Sequence, residues 1–158
     1  MLHERTRLIA ICLMTNGNRI LCFRERDSVK GDHFWRPLGG GIEFRELSRD
    51  AIVREMREET GEEICDIQLV DIMENPFTYE GEEWHQIVFV YDARFSDAAK
   101  YESTCVACRE EEIKLDFTAE WKSIAEIEQA GDRLVPEGLD KIVADLFVER
   151  ERCNFARR

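Results

Sequence analysis

An α/β or α+β domain is predicted by three features of the 158-residue sequence. Apolar, β-branched runs bounded by turn residues fill the first forty positions. Two stretches with helical apolar spacing, one before Gly61 and one after Pro136, alternate with further strand-like runs. Interleaving of this kind in so short a chain implies one layered core, and a chain of this length buries roughly 68–70% of the surface it exposes when unfolded.

Thr6 to Met14 and Arg19 to Arg24 read as an antiparallel hairpin turning at Asn16-Gly17-Asn18. Glu25 to His33 is polar and reads as a loop. Phe34-Trp35-Arg36-Pro37-Leu38 leads into Gly39-Gly40-Gly41, where the backbone can adopt conformations closed to other residues or approach a ligand closely. Ser48 to Thr60 reads as a helix, with Ser48 as N-cap, a stripe of Ala51, Ile52 and Met56, and Gly61 at the left-handed C-terminal position. Extended segments are expected at Ile64 to Met73 and Gln86 to Phe95, with Asn75-Pro76 breaking the first and Tyr79-Glu80-Gly81-Glu82 forming a turn. Ser96 to Glu112 reads as an irregular, mobile surface loop. Ser123-Ile124-Ala125-Glu126 is a capping-box pattern opening a short helix that stops near Gly131. After Pro136, Leu139, Ile142, Val143, Leu146 and Phe147 recur at helical spacing to about Arg150.

Charge narrows the partners. With 34 Asp and Glu against 22 Lys and Arg, the net charge is −12, which repels duplex nucleic acid and anionic membrane. A small phosphate substrate remains compatible if a divalent cation mediates between it and an acidic site. The cysteines Cys12, Cys22, Cys65, Cys105, Cys108 and Cys153 are scattered and read as reduced, cytoplasmic thiols. Cys105 and Cys108 form a lone CxxC with no second ligand pair to complete a zinc set. The run Leu8 to Met14 mimics a signal peptide but lacks a small-residue cleavage site, so a first strand is the better reading. No stretch approaches the ~20 apolar residues of a membrane span.

Glu55, Glu58 and Glu59 stand at i, i+3 and i+4 on one helical face, near the C-terminal end where negative charge opposes the helix dipole. Each like-charge pair costs a helix ~0.2–0.5 kcal/mol. Arg54 and Arg57 offer compensation, so one reading is a solvated, salt-bridged face. The other is a site for hard divalent cations, with the preceding glycines bringing backbone carbonyls and a phosphate chain to the same ions.

Written out, the segment is Gly40-x5-Glu46-x7-Arg54-Glu55-Met56-x-Glu58-Glu59-x-Gly61. It resembles the box of the Nudix hydrolase family (MutT-like), Gly-x5-Glu-x7-Arg-Glu-U-x-Glu-Glu-x-Gly-U with U aliphatic. Chance would match the fixed positions on the order of once per 10⁸ starting points at average residue usage. Two positions depart: Glu62 stands where an aliphatic residue is usual, and Arg45 where a small residue commonly precedes Glu46.

The resemblance implies an α/β/α sandwich with a mixed sheet between the box helix and the C-terminal helix, formed as one domain over residues 1–158. It implies a pyrophosphatase that uses Mg²⁺ or Mn²⁺ and an attacking water to split a diphosphate bond in a nucleoside diphosphate linked to another moiety. Glu55, Glu58 and Glu59 match the metal-binding glutamates, and Gly39 the position whose carbonyl often completes coordination. Arg54 would orient Glu55, and Glu46 would fix the loop against the helix. Glu55 is the first choice of base, with Glu112, beside Glu110 and Glu111, as a second acid from outside the box. Arg24, Arg26, Trp35 and Arg36 are candidate substrate contacts; Phe34 and Trp35 would stack on a base or simply pack. Pro76 and Tyr79 resemble markers of ADP-ribose and diadenosine-polyphosphate hydrolases respectively, and together they do not discriminate. The expected partner is a small nucleotide, with no nucleic-acid polymer or membrane; a homodimer is among the assemblies the family allows. A silent nucleotide-binding protein of the same fold is the alternative function.

Overall fold

The computed structural model describes residues 5–157. In chain order the elements are β1 (Arg7–Asn16), β2 (Arg19–Arg26), β3 (His33–Gly41), α1 (Ser48–Thr60), β4 (Ile64–Tyr79), β5 (Glu82–Phe95), a 3₁₀ turn (Ala98–Tyr101), β6 (Cys105–Glu110), β7 (Leu115–Lys122), α2 (Ile124–Gln129), β8 (Arg133–Leu134) and α3 (Leu139–Ala156). The strands form a mixed sheet in the order β4-β5-β1-β3-β2-β7-β6, with β8 pairing alongside β3. β1 runs parallel to β5 and antiparallel to β3.

β1 shows how one sequence serves two cores. Its buried run alternates: Ala10, Cys12 and Met14 join a cluster with Ala51, Ile52 and Met56 of α1, whereas Ile9, Ile11 and Leu13 join Ile127 of α2 and Leu139, Val143 and Leu146 of α3. Side chains two apart share a sheet face, so a strand covered on both sides reads as a continuous apolar run. The α/β/α layering expected from the resemblance is therefore present. No helix among the described residues is long and apolar enough to cross a membrane.

The first hairpin is shallower than the sequence suggests. β1 and β2 pair only at Thr15↔Ile20 and Asn16↔Arg19 before they splay. β3 fills the split, its first half on β2 and its last residues on β1, where Ile9, Ala10 and Ile11 face Gly41, Gly40 and Gly39. The glycines thus lie inside a strand instead of beyond it.

Other expectations need correction. Pro76 does not end the strand: β4 runs through it, with Pro76 opposite His85. β4 is an edge strand, where a missing N–H need not cost a ladder bond. The segment from Ser96 to Glu112 is not an irregular loop, because Cys105–Glu110 pairs with β7 and alternates Val106 and Cys108 inward with Cys105, Ala107 and Arg109 outward. That alternation also sends Cys105 and Cys108 to different environments, one exposed and one buried, and all six cysteines are free. Ser48 is the first helical residue, not the cap; Leu47 occupies the cap position without a side-chain bond, and the Ser48 hydroxyl lies 2.6 Å from that of Tyr91. Gly61 does close α1 in the left-handed conformation, and Ser123 and Glu126 form the reciprocal capping box of α2. α3 continues past Arg150 to Ala156.

Candidate active site

Arg54 organises the carboxylates of α1. Its Nε and Nη2 donate to the two oxygens of Glu46 at 2.8 and 2.9 Å, and Nη1 donates to Glu55 at 2.9 Å and Glu58 at 3.2 Å. Nη2 also reaches the Gly41 carbonyl at 2.9 Å, so one guanidinium ties the end of β3 to the helix. Glu46 in turn accepts from the Glu43 N–H at 2.8 Å. The planar fork offers five donors, which suits it to several acceptors at once. Arg54 holds the Glu46 carboxyl below the usual carboxylate range, chiefly through that hydrogen bond.

The glutamates differ in environment. The Glu58 side chain is 44% exposed, the Glu55 side chain 15%, and Glu59 is buried. Burial raises the Glu55 carboxyl despite the opposing Arg54. Burial likewise pushes Glu59 up to about 8, with the Gly39 N–H, 3.0 Å from Glu59 Oε2, opposing and neighbouring Glu55 reinforcing the rise.

Glycine is required at two adjacent positions for different reasons. A Cβ on Gly39, whose φ is 140°, would overlap the Ala10 carbonyl oxygen and lie 2.8 Å from Ile11 Cα. A Cβ on Gly40 would stand 2.5 Å from the Glu55 carboxyl group. The Gly40 backbone is therefore pressed against a half-buried carboxylate, and any larger residue would displace that side chain. The two departures from the box have local accounts. Arg45 adopts a left-handed conformation with φ 66°, and Glu62 pairs with Lys100 of the 3₁₀ turn at 2.6 Å.

Arg54, Glu55, Glu58 and the three glycines border a cavity of about 1250 Å³. Its acidic side carries Glu43, Glu55 and Glu58, together with Glu110, Glu111 and Glu112 from the end of β6 and the turn before β7. Gly39 and Arg36 line it as well, whereas Glu59 faces a shallower depression beside Cys108 that it shares with Glu58. Arg36 pairs with Glu25 at 2.9 Å and lies over the Phe23 ring.

Arg24, Arg26 and Trp35 do not line this cavity. Arg24 and the Trp35 indole N–H both serve Asp132, at 2.8 and 3.0 Å, and Trp35 is buried in the α3-side core. The stacking role for Trp35 thus gives way to packing, as its N–H and ring are both already engaged.

Several cavity residues escaped the sequence reading. Asn75 and Phe77 of β4 and Trp84, Gln86 and Val88 of β5 form another side, together with Tyr79, which the sequence reading does single out. For the β4 residues the signal was a period-two alternation hidden by the expected break at Pro76, whereas Gln86 and Val88 lie in a strand that was expected. Asp27 was also missed: buried, it accepts from the N–H groups of Val29, Lys30 and Glu80, and Ser28 bonds to Glu80. These bonds fasten the β2–β3 loop to the turn of the β4–β5 hairpin and hold its carboxyl below the usual range.

The donor set suits a hard divalent cation. Carboxylate and backbone carbonyl oxygens are the ligands such ions take, and two of the carboxylates are raised by burial, a cost that a cation would offset. Among the described residues no three acidic, His or Cys side chains stand close enough together to hold a metal ion by themselves. The fit is to an ion that keeps waters and shares substrate phosphates, which is how Mg²⁺ is commonly bound.

A sequence model described as NUDIX domain matches residues 5–146. Among solved structures, the fold is similar to a NUDIX hydrolase from Nitrosomonas europaea, with TM-score 0.62 and 20% identity, covering 92% of this chain and 90% of that one. It is similar to a MutT NUDIX hydrolase from Burkholderia pseudomallei, with TM-score 0.56 and 21% identity over 90% of this chain and 98% of that one. A MutT protein from Methanosarcina mazei Go1 aligns with TM-score 0.57 and 19% identity over 93% and 97%.

Proposed function

Because the chain belongs to the Nudix family of pyrophosphohydrolases, we propose that it splits the diphosphate bond of a small nucleoside diphosphate linked to another moiety, such as a nucleotide sugar, ADP-ribose, a dinucleoside polyphosphate or a nucleoside triphosphate. The observation that carries this reading is the arrangement of Arg54, Glu46, Glu55 and Glu58 around the glycine strand, open to a cavity of about 1250 Å³. A solvated helix face would not need Gly40 pressed against Glu55. In this reading residues 1–158 act as one domain, and the six free cysteines support a cytoplasmic setting.

Glu55, Glu58 and Glu59, with the Gly39 carbonyl, are the groups that would hold Mg²⁺ or Mn²⁺, which supplies neutralisation of phosphate charge and acidifies a bound water. Glu55, half-buried, takes the proton of the attacking water, and Glu112 is the second choice for that role. The water oxygen bonds to phosphorus, the bridging P–O bond breaks, and the electron pair leaves with the departing phosphate. Arg54 is a positioning residue that fixes Glu55 and Glu58. Arg36, on the cavity lining, is placed to receive a phosphate oxygen by exchanging its Glu25 contact.

The test is a turnover screen of those four substrate classes, with and without Mg²⁺ or Mn²⁺, beside Glu58→Gln. Metal-dependent cleavage lost by roughly 10²–10³-fold in the variant is expected. Full activity in Glu58→Gln overturns the assignment of the glutamate row. Absence of turnover together with a nucleotide-induced melting shift moves the silent binding protein ahead.

A further inference from the structure

The cavity has a second surface that the proposed chemistry does not use. On neighbouring strands β1, β5 and β4, Arg7 pairs with Gln86 and Gln86 with Asn75, so three hydrogen-bonding side chains stand in one cross-strand row. The same registers place an apolar row on each side: Ile9 and Val88 on one, Trp84 and Phe77 on the other. All seven side chains line the cavity. Alternate residues of a strand share a face, so the polar row lies as a stripe between two apolar ones.

The polar row has unspent capacity. Asn75 Nδ2 donates to Gln86 Oε1 at 3.3 Å. Among the described residues this bond leaves Asn75 Oδ1 and Gln86 Nε2 with no side-chain partner. Turning both amides over would exchange their roles but still leave one carbonyl and one NH₂ group. Among the described residues Arg7 has no carboxylate partner, whereas every other lining cation has one: Lys30 with Asp27, Arg36 with Glu25, Arg54 with Glu46, Arg57 with Glu63 and Arg133 with Asp32. Arg7 instead lies 5.5 Å over the Trp84 ring, itself nearly parallel to Phe77 at 6.3 Å. Asn75 and Gln86 are half-buried and Arg7 is exposed, so a ligand entering here exchanges water for hydrogen bonds with all three.

We infer that this row is a base-reading subsite, in which Asn75, Gln86 and Arg7 recognise the polar edge of a nucleobase while Phe77 and Trp84 flank its apolar part. The inference rests on the hydrolase reading for the reaction but assigns its substrate selectivity to the β4–β5 hairpin. A flat heteroaromatic ring with donors and acceptors on one edge matches a donor-acceptor stripe bounded by apolar rows. No carboxylate stands in the row, so it also differs in kind from the acidic side. Arg7 supplies donors at the end next to Gln86, where an acceptor on the ring would lie.

The experiment compares ADP-, GDP-, CDP- and UDP-glucose at saturating Mg²⁺ in the unaltered protein, Asn75→Leu, Gln86→Leu and the near-isosteric Gln86→Glu. One base is expected to lead by about tenfold or more in kcat/KM. Either Leu change should raise its KM by about 10–100-fold with kcat little altered, flattening the ranking, and Gln86→Glu should reorder it. Equal turnover of all four bases by the unaltered protein overturns the inference, as does an unchanged ranking in the variants. So does a KM rise shared by all bases and by inorganic pyrophosphate as inhibitor, which would make the row a phosphate site. If none of the four is cleaved, nucleotide sugars are excluded as the substrate class, and the hydrolase reading rests on the wider screen. Melting shifts with AMP, GMP, CMP and UMP then decide the subsite: a base-dependent shift lost in both Leu variants supports it, and base-independent shifts or none overturn it.

Discussion

The two sides of the cavity solve opposite physical problems. On the α1 side, carboxylates are crowded by helical spacing, and their repulsion is offset by one guanidinium and by glycines that let the backbone approach. On the β4–β5 side, neutral amides and rings are arranged by cross-strand register, with little charge to offset. The first side gains strength from electrostatics that any diphosphate shares. The second gains discrimination, since unmet hydrogen bonds penalise a wrong partner more than met ones reward a right one. Chemistry and selectivity should therefore fail separately.

The sharpest break comes from the two adjacent glycines. Gly40→Ala places a methyl group 2.5 Å from the Glu55 carboxyl group. Displacing that side chain should lower kcat by ~100-fold for every base, with thermal stability little changed. Gly39→Ala instead forces a methyl against the Ala10 and Ile11 backbone at φ 140°, so it should destabilise the fold by about 1–3 kcal/mol. Paired kinetics and urea titrations separate them; a Gly40→Ala enzyme with normal kcat would detach Glu55 from the chemistry.

Glu59 sharpens the comparison through pH. Its folded carboxyl is raised to about 8 by burial, above its unfolded value, so the neutral form favours the fold. That stability is fully present below the unfolded value near 4.5 and is lost as pH rises through about 8. In chelator, Glu59→Gln should melt close to the unaltered protein at pH 5 and above it at pH 9, by a margin on the order of a few kcal/mol. Parallel melting profiles from pH 5 to 9 would show that Glu59 carries no such strain. An equivalent change on the hairpin, such as Gln86→Glu, has no raised carboxyl to relieve and should not reproduce this profile.

These differences also explain what the sequence revealed. The glutamate row, Arg54 and Glu46 were legible because an α-helix converts fixed spacing into one face, and the chemistry of the residues marks it. The α1 and α2 boundaries were legible for the same reason, through Gly61 and the Ser123–Glu126 box. Cross-strand neighbours are set by register between distant segments, which no local pattern encodes. Asn75 and Gln86 therefore met only in the structure, and the expected break at Pro76 hid the end of β4 that carries Asn75. Asp27 was likewise invisible, since its partner Glu80 comes from another turn. Trp35, Arg24 and Arg26 were misplaced because residue type alone does not say which face of a strand opens on the cavity.

Arg54→Lys probes the α1 side more gently. A lysine keeps the charge but cannot serve Glu46 bidentately while reaching Glu55 and Gly41. Activity should fall about tenfold, an effect shared by all bases. A loss confined to one base would merge the two sides into a single recognition surface.

The smallest effect is expected where neither side is touched. Arg24 follows the strand position at which a phosphate contact was anticipated, yet its guanidinium is spent on Asp132 through Nε at 2.8 Å and Nη2 at 3.1 Å. Asp132 keeps the Trp35 indole N–H at 3.0 Å when that arginine is removed. Arg24→Ala should therefore leave kcat/KM within about twofold for every base, whereas Arg36→Ala, on the cavity lining, should raise KM about tenfold. The pair is informative because both arginines lie on adjoining strands and carry the same charge, so a long-range electrostatic effect would touch them alike. Comparable losses in the two variants would mean that phosphate approaches over the β2 face, and the cavity would no longer be the place where the diphosphate lies.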